Sequence, residues 1–194
     1  MNFELLTPGN YLPENYWRKL VPSTSRLELE VGCGDGRFLL ESALRNPHTL
    51  FAGLEMKRSA LRRATSGDDL PANAHFFEID GRWVVSNLLP PTSVDAFHIY
   101  FPDPWWKKRH HKRRLFNKDF CRGLTRSIKE DGSVFIITDV QSQYRDMVGA
   151  LATCGLVART WQRDHEDSAQ SSYERKYRRQ GRRLFEARFE FGKV

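Results

Sequence analysis

The stretch RLELEVGCGDG at residues 26–36 decides the fold of this 194-residue chain. Its first six residues alternate between charged and apolar side chains, a pattern that predicts a β-strand. Three glycines follow, and then an apolar segment with helical spacing runs over residues 38–44. Glycines between a strand and a helix let a ligand approach the backbone, and the helix N-terminus offers free N–H groups. The stretch therefore predicts a nucleoside-binding loop in an α/β domain.

Strand and helix patterns alternate along the rest of the chain. A helical stripe of apolar residues every four positions is clearest over residues 116–128. Strands separated by helices predict an α/β fold, with a parallel sheet and helices on both of its faces. We expect an irregular N-terminal segment over residues 1–25 and a single domain over residues 26–194. After the first strand, further strands are expected over residues 49–54, 75–79, 94–101, 133–138, 156–161 and 184–191.

The spacing of the glycines distinguishes between classes of nucleotide site. A dinucleotide-binding loop has the sequence G-x-G-x-x-G, and its third glycine would stand where this chain has Arg37, so a dinucleotide site is not predicted. The chain also contains no P-loop sequence, which excludes a P-loop nucleotide site. The G-x-G-x-G at residues 32–36 instead resembles the first motif of S-adenosylmethionine methyltransferases. Glu55 and Asp80 are expected to end the next two strands, where carboxylates can accept from ribose hydroxyls and an adenine amino group. A tight turn with ordinary surface acids is the alternative, but it does not explain three features at three successive strand ends.

Charge is unevenly distributed along the chain. The whole sequence carries 31 basic and 24 acidic residues, a net charge of +7. Residues 105–129 hold ten basic residues against one acid, and residues 172–194 hold eight against three, so the remainder is acidic. Two basic segments on an acidic body indicate a binding surface for a polyanion, although a pair of solvated basic faces would have the same composition. The dense block at residues 107–114 favours nucleic acid.

Residues 101–106 read FPDPWW and follow the fourth predicted strand. Ligands of open α/β sheets bind beyond the carboxyl ends of the strands, which is where Asp103 is expected to lie. The two prolines restrict the backbone around this aspartate, and the two tryptophans offer faces on which a base can stack. The segment therefore predicts a site for a nucleobase.

This segment, together with the block KKRHHKRR at residues 107–114, resembles the signature of the bacterial tRNA (guanine-N7-)-methyltransferase family. The likeness covers about residues 26–191. It implies a Rossmann-like class I methyltransferase fold of about seven strands, the last antiparallel. It also implies an enzyme that transfers a methyl group from S-adenosylmethionine to N7 of a guanine in tRNA, guanine 46 of the variable loop.

The resemblance further implies roles for individual residues. The cofactor is expected to be held by Glu30, Glu55 and Asp80, with Gly32 and Gly34 of the loop. Asp103 is the expected catalytic residue; because guanine N7 carries a free lone pair, we assign Asp103 to guanine recognition and electrostatics rather than proton abstraction. Substrate contacts are expected from Lys107 and Asp139, and from the residues on which the family's T-x-[FY]-E sequence falls: Ser171, Ser172, Tyr173 and Glu174.

Other classes of function remain open at this stage. The chain could methylate another RNA or another ring atom, or it could be a non-catalytic RNA-binding module on a decayed methyltransferase fold. Three scattered cysteines without a C-x-x-C predict neither a disulfide framework nor a zinc site, so no metal is expected. We expect neither a membrane span nor a signal peptide. We therefore expect a cytoplasmic monomer or homodimer whose partner is tRNA.

Overall fold

The structure, a computed structural model, describes residues 3–4, 26–66, 70–104, 114–165 and 167–192. The strands are β1 (Phe3–Glu4), β2 (Arg26–Val31), β3 (Thr49–Glu55), β4 (Ala74–Glu78), β5 (Val94–Tyr100), β6 (Ile128–Thr138), β7 (Leu156–Arg159) and β8 (Phe185–Phe191). The helices are α1 (Arg37–Arg45), α2 (Arg58–Ala64), α3 (Gly81–Asn87), α4 (Lys118–Ser127), α5 (Gln141–Thr153) and α6 (Ser172–Arg179). None of these helices is long and apolar enough to cross a bilayer.

The described strands form one sheet in the order β1–β4–β3–β2–β5–β6–β8–β7. The last strand, β8, is antiparallel to both of its neighbours, whereas the pairs from β1 to β6 are parallel. The predicted α/β fold with an antiparallel last strand is therefore confirmed. Strand order reverses between β2 and β5, and in open α/β sheets the ligand crevice forms at such a switch point.

Helices cover both faces of the sheet, as predicted. Successive strand residues point to opposite faces, and Phe51 and Ala52 accordingly belong to different hydrophobic clusters. The cluster around Phe51 receives side chains from α1 and α2. The larger cluster around Ala52 receives side chains from α3, α4 and α5. The two cores hold the loops at the strand ends from both sides.

Several elements differ from the prediction, among them β1, β6 and α6, and β7 ends at Arg159 rather than at residue 161. Phe3–Glu4 is a short strand within the segment expected to be irregular, because it pairs with the otherwise free edge of β4. Strand β6 begins at Ile128, since this residue pairs with Val94, and the helix before it ends one residue earlier. Helix α6 has no predicted counterpart. Its one buried residue is Glu174, so no apolar periodicity marks it.

Candidate active site

The glycine loop between β2 and α1 adopts a left-handed backbone at all three glycines. Gly32, Gly34 and Gly36 have φ angles of 82°, 57° and 69°. A Cβ atom at Gly32 or Gly34 would meet nothing within 4 Å, so the space beside these residues is open. A Cβ at Gly36 would lie 2.5 Å from Cε1 of Phe76, because this glycine packs against the core. The first two glycines therefore face a space that a ligand can use, and the third has a structural role.

Glu30, near the end of β2, is buried, and one of its two carboxyl oxygens is unpartnered in the part of the chain that the structure describes. Its side chain is 3% exposed, and its Oε2 atom has no hydrogen-bond partner among the described residues. Burial raises the pKa of Glu30 well above its ordinary value, and the negative charges of Asp35 and Glu55 raise it further. A buried carboxyl oxygen without a partner is costly, and a hydrogen-bond donor from a bound ligand would satisfy it.

Glu55 ends β3 beside the glycine loop. Its Oε2 accepts a hydrogen bond from the Gly34 amide at 3.1 Å, and its Oε1 accepts one from the Lys57 amide at 2.8 Å. The side chain is half-buried and bridges the loop and the start of α2. A carboxylate fixed in this way has further lone pairs with which to accept from neighbouring hydroxyl groups.

Asp80 lies at the next strand end and caps α3. Its Oδ1 accepts from the amides of Arg82 and Trp83 at 2.9 and 3.4 Å. The Ile79 amide donates to the Glu55 carbonyl at 3.0 Å and so joins the two strand ends. The structure thus brings the glycine loop, Glu30, Glu55 and Asp80 to one edge of the sheet. The capping role of Asp80 was not part of the prediction.

Asp103 is exposed beyond the end of β5, at the switch point of the sheet. The preceding Phe101 has a φ of 50°, a strained conformation for an aromatic residue, and its amide donates to the Ile137 carbonyl at 2.7 Å. Gln143 donates to the Pro102 carbonyl at 2.7 Å. Sequence patterns did not single out Gln143, because its contact depends on how β5 and β6 are paired. These bonds fix the segment that carries Asp103.

The predicted substrate residues Asp139, Ser171 and Ser172 lie just after β6 and at the start of α6. Asp139 accepts a hydrogen bond from Arg182 at 2.8 Å. Ser171 caps α6 by accepting from the Glu174 amide, and Ser172 donates to Asp35 of the glycine loop at 2.7 Å. Helix α6 is thereby attached to the loop. Lys107, with the rest of residues 105–113, lies outside the described residues.

Glu174 and Tyr173 are neighbours with opposite environments. The Tyr173 side chain is 54% exposed, whereas Glu174 has no exposed surface. Both carboxylate oxygens of Glu174 accept from Arg163, at 2.8 and 3.0 Å, and one also accepts from Arg178 at 2.9 Å. Tyr173 can therefore reach a substrate directly, while Glu174 holds α6 in place.

One cluster near Glu174 has the residue types of a metal site. Ligand atoms of His165, Glu174 and Glu186 lie within 4.8 Å of one another. The guanidinium of Arg178 contacts all three, at 3.0 Å from His165 Nδ1, 2.9 Å from Glu174 and 3.2 Å from Glu186. A cationic side chain thus already balances these groups.

An open α/β sheet with one antiparallel strand, and a glycine loop flanked by carboxylates at successive strand ends, define a Rossmann-like class I methyltransferase. A family model described as "Putative methyltransferase" matches residues 24–187. The chain therefore belongs to this methyltransferase family.

Sequence relatives agree with this assignment, and a solved structure shares the fold. A tRNA (guanine-N(7)-)-methyltransferase of Enterococcus faecalis is 30% identical over 183 residues, which are 89% of this chain and 85% of that protein. One of Thermotoga maritima is 29% identical and covers 93% of this chain, but the chain spans only 61% of that protein. The solved structure is a 16S rRNA (adenine(1408)-N(1))-methyltransferase mutant from Catenulisporales acidiphilia with cosubstrate SAM. It superposes on this chain with a TM-score of 0.61 at 19% sequence identity, and the match covers 94% of this chain and 93% of that one.

Proposed function

We propose that this protein transfers a methyl group from S-adenosylmethionine to N7 of a guanine in tRNA. The observation that carries the proposal is the placement of Asp103, exposed beyond β5 and next to the edge where the glycine loop, Glu30 and Glu55 converge. The names of the sequence relatives support tRNA as the substrate and guanine N7 as the acceptor atom. A tRNA substrate leads us to expect a cytoplasmic protein, as a monomer or homodimer.

The residues at the loop fit the cofactor. The open space beside Gly32 and Gly34 accommodates the nucleoside, and Glu55 accepts from its ribose hydroxyls. The unpartnered oxygen of Glu30 accepts from a donor group of the cofactor. The Asp80 Oδ2 atom takes no part in capping and lies 3.8 Å from Nη2 of Arg82; it accepts from the adenine amino group. When bound, S-adenosylmethionine supplies an electrophilic methyl group on a cationic sulfur.

Asp103 selects and orients the guanine. Its carboxylate accepts from N1–H and the exocyclic amine of guanine, a pair of donors that adenine does not present. Because guanine N7 has a free lone pair, no residue has to remove a proton before attack. Alignment of N7 with the methyl carbon supplies several kcal/mol, and the nearby carboxylate stabilises the positive charge that develops on the ring.

The RNA is held by the basic segments and by α6. Lys107 and Asp139 contact the substrate, together with Ser171, Ser172 and the exposed Tyr173. Glu174 acts through α6, since its own carboxylate is buried. Each phosphate contact adds about 0.7 to 0.9 to the slope of log affinity against log salt. A slope near zero would contradict the polyanion surface.

Two variants test the separate roles proposed for Asp103 in methyl transfer and for Glu55 in cofactor binding. We expect Asp103→Ala to keep its affinity for S-adenosylmethionine, measured by calorimetry, and to lose single-turnover methyl transfer. Glu55→Ala should weaken the cofactor by about 2 to 4 kcal/mol, because charge-assisted hydrogen bonds to the ribose are removed. Asp119→Ala, an exposed acid on α4, is the control and should change neither.

The wild-type protein is first assayed on bulk tRNA, with mapping of the modified nucleoside. Methylation of another base or of ribosomal RNA would reject the proposed substrate. Failure to bind S-adenosylmethionine would identify a non-catalytic RNA-binding module. Near-normal transfer by Asp103→Ala would reject the role of Asp103.

A further inference from the structure

Three aromatic rings pack together beside Asp103. The ring of Phe101 lies 5.4 Å from that of Tyr177 and 6.2 Å from that of Tyr173, and the two tyrosine rings are 5.9 Å apart. Phe101 precedes Asp103 by two residues, so this aromatic cluster borders the proposed guanine site. Neither tyrosine belongs to the buried cores of the described residues. The two tyrosines therefore lie at the surface of the site, and Phe101 connects them to a buried cluster.

Two cations lie against one ring of this cluster. The Cζ atom of Arg182 is 4.3 Å from the centre of the Tyr177 ring, and the Nζ atom of Lys176 is 5.8 Å from it. Arg182 also donates to Asp139 at 2.8 Å, and 48% of its side chain is exposed. Its guanidinium is thus held by a ring and a carboxylate while much of it stays open to solvent.

The two faces of α6 differ in whether their basic side chains form ion pairs with the rest of the protein. Glu174, Arg175 and Arg178 face the body of the protein, where Arg175 pairs with Glu41 at 2.6 Å and Arg178 with Glu174. Residues 173, 176 and 177 lie together on the other face, because residues three or four positions apart are neighbours on the surface of a helix. Within the described residues, Lys176 has no carboxylate at ion-pair distance. This second face is therefore available to a negatively charged partner.

We propose that Tyr177, Arg182 and Lys176 bind the nucleotide next to the target guanine, with Arg182 stacking on its base. The proposal rests on the function proposed above. A guanine drawn into the site leaves its neighbour unstacked, and single-stranded RNA bases are bound by stacking on aromatic rings and arginine guanidinium planes. Arg182, held on Tyr177, supplies such a plane. Lys176 supplies a charge for the adjoining phosphate.

Substitutions of Arg182 and Tyr177 test the stacking. Loss of a base stack typically costs tenfold or more in affinity, so Arg182→Ala and Tyr177→Ala should each raise the KM for tRNA by about that factor. Arg182→Lys keeps a cation beside Asp139 but lacks the planar group, and should show most of the same loss. Tyr177→Phe keeps the ring on which Arg182 lies and should recover most of the affinity for tRNA that Tyr177→Ala loses. Affinity for S-adenosylmethionine should stay unchanged in all four variants, whereas Tyr177→Ala alone should lower the thermal midpoint, because it removes the ring contacts with Phe101 and Tyr173.

Arg26→Ala is the matched control. Arg26 is 52% exposed and donates to Glu28 at 2.9 Å, much like Arg182 with Asp139, but it lies at the amino end of β2, on the opposite edge of the sheet. Its removal should leave the KM for tRNA unchanged. Full activity of Arg182→Lys would overturn the stacking role, and an unchanged KM in both alanine variants would overturn the site. A wild-type protein that does not methylate tRNA would overturn the proposed function together with this inference.

Discussion

Arg163 donates to both carboxylate oxygens of Glu174, at 2.8 and 3.0 Å, and neither side chain is more than 6% exposed. The pair connects the chain after β7 to α6, and Arg178 adds a second cation to the same carboxylate. An acid that the family resemblance places at the substrate is thus part of a buried ionic network. This network holds the helix that presents Tyr173 and Tyr177.

We expect Glu174→Gln to lower the free energy of unfolding by about 3 to 5 kcal/mol, because it leaves the buried charge of Arg163 uncompensated. Urea denaturation measures the loss. Asp119→Asn breaks an exposed pair with Arg122 at 3.9 Å and should cost less than about 1 kcal/mol. If Glu174→Gln were as stable as wild type and inactive on tRNA, Glu174 would be a direct substrate contact.

Two glycine substitutions distinguish a glycine that faces the proposed ligand from one that packs against the core. Gly36→Ala should lower the thermal midpoint strongly, because the new Cβ would lie 2.5 Å from the Phe76 ring and at a φ of 69°. Gly34→Ala meets no atom within 4 Å, so it should carry only the strain of its backbone, about 1 to 2 kcal/mol. Its main effect should be weaker binding of S-adenosylmethionine in calorimetry. Equal destabilisation by the two variants would contradict this distinction.

The parts of the molecule that were predictable are those with a local signal. The alternating residues of β2 and the glycines after it indicate both the strand and the loop, because periodicity and left-handed turns depend on neighbouring residues. Glu55 and Asp80 follow from their positions at strand ends. The edge of the sheet to which the structure brings these carboxylates could therefore be predicted from the sequence.

The parts that were not predictable depend on tertiary pairing. Helix α6 buries a single acid and is otherwise cationic, so its apolar pattern is absent. The contact between Arg182 and Asp139 joins residues 43 positions apart, and that between His98 and Glu28 joins residues 70 apart. Such pairs are set by strand order and register. The basic composition of residues 172–194 indicated a polyanion surface without showing which of its cations are already paired.

Glu28 should make the protein sensitive to acid. Burial acts to raise its pKa, but hydrogen bonds and charge from His98 and Arg26 outweigh this effect and lower the pKa from 4.5 to about 2. Because the folded-state pKa is lowered, Glu28 contributes about 3 kcal/mol of stability above pH 4.5, and this contribution is lost as the pH falls toward 2. The difference in unfolding free energy between wild type and Glu28→Gln should therefore shrink over this range.

The exposed Glu130 provides the comparison for Glu28, and Glu130→Gln should differ little from wild type at any pH. Urea denaturation at several pH values measures both variants. A difference between wild type and Glu28→Gln that does not change with pH would show that packing, rather than the charge of Glu28, stabilises this site.

Glu30→Gln should stabilise the cofactor-free protein and weaken cofactor binding. Burial raises the pKa of Glu30 well above 4.5, so the folded state holds its proton more tightly than the unfolded chain, and the cost to stability grows as the pH rises above 4.5. The thermal midpoint of Glu30→Gln should thus exceed that of wild type at pH 8, by a margin that shrinks toward pH 4.5.

Saturating S-adenosylmethionine should raise the midpoint of wild type more than that of the variant. Glu41→Gln, which breaks the pairs with Arg37 and Arg175, should instead lower the midpoint. A lower midpoint for Glu30→Gln at pH 8 without cofactor would mean that the Glu30 carboxylate already has a partner in the free protein.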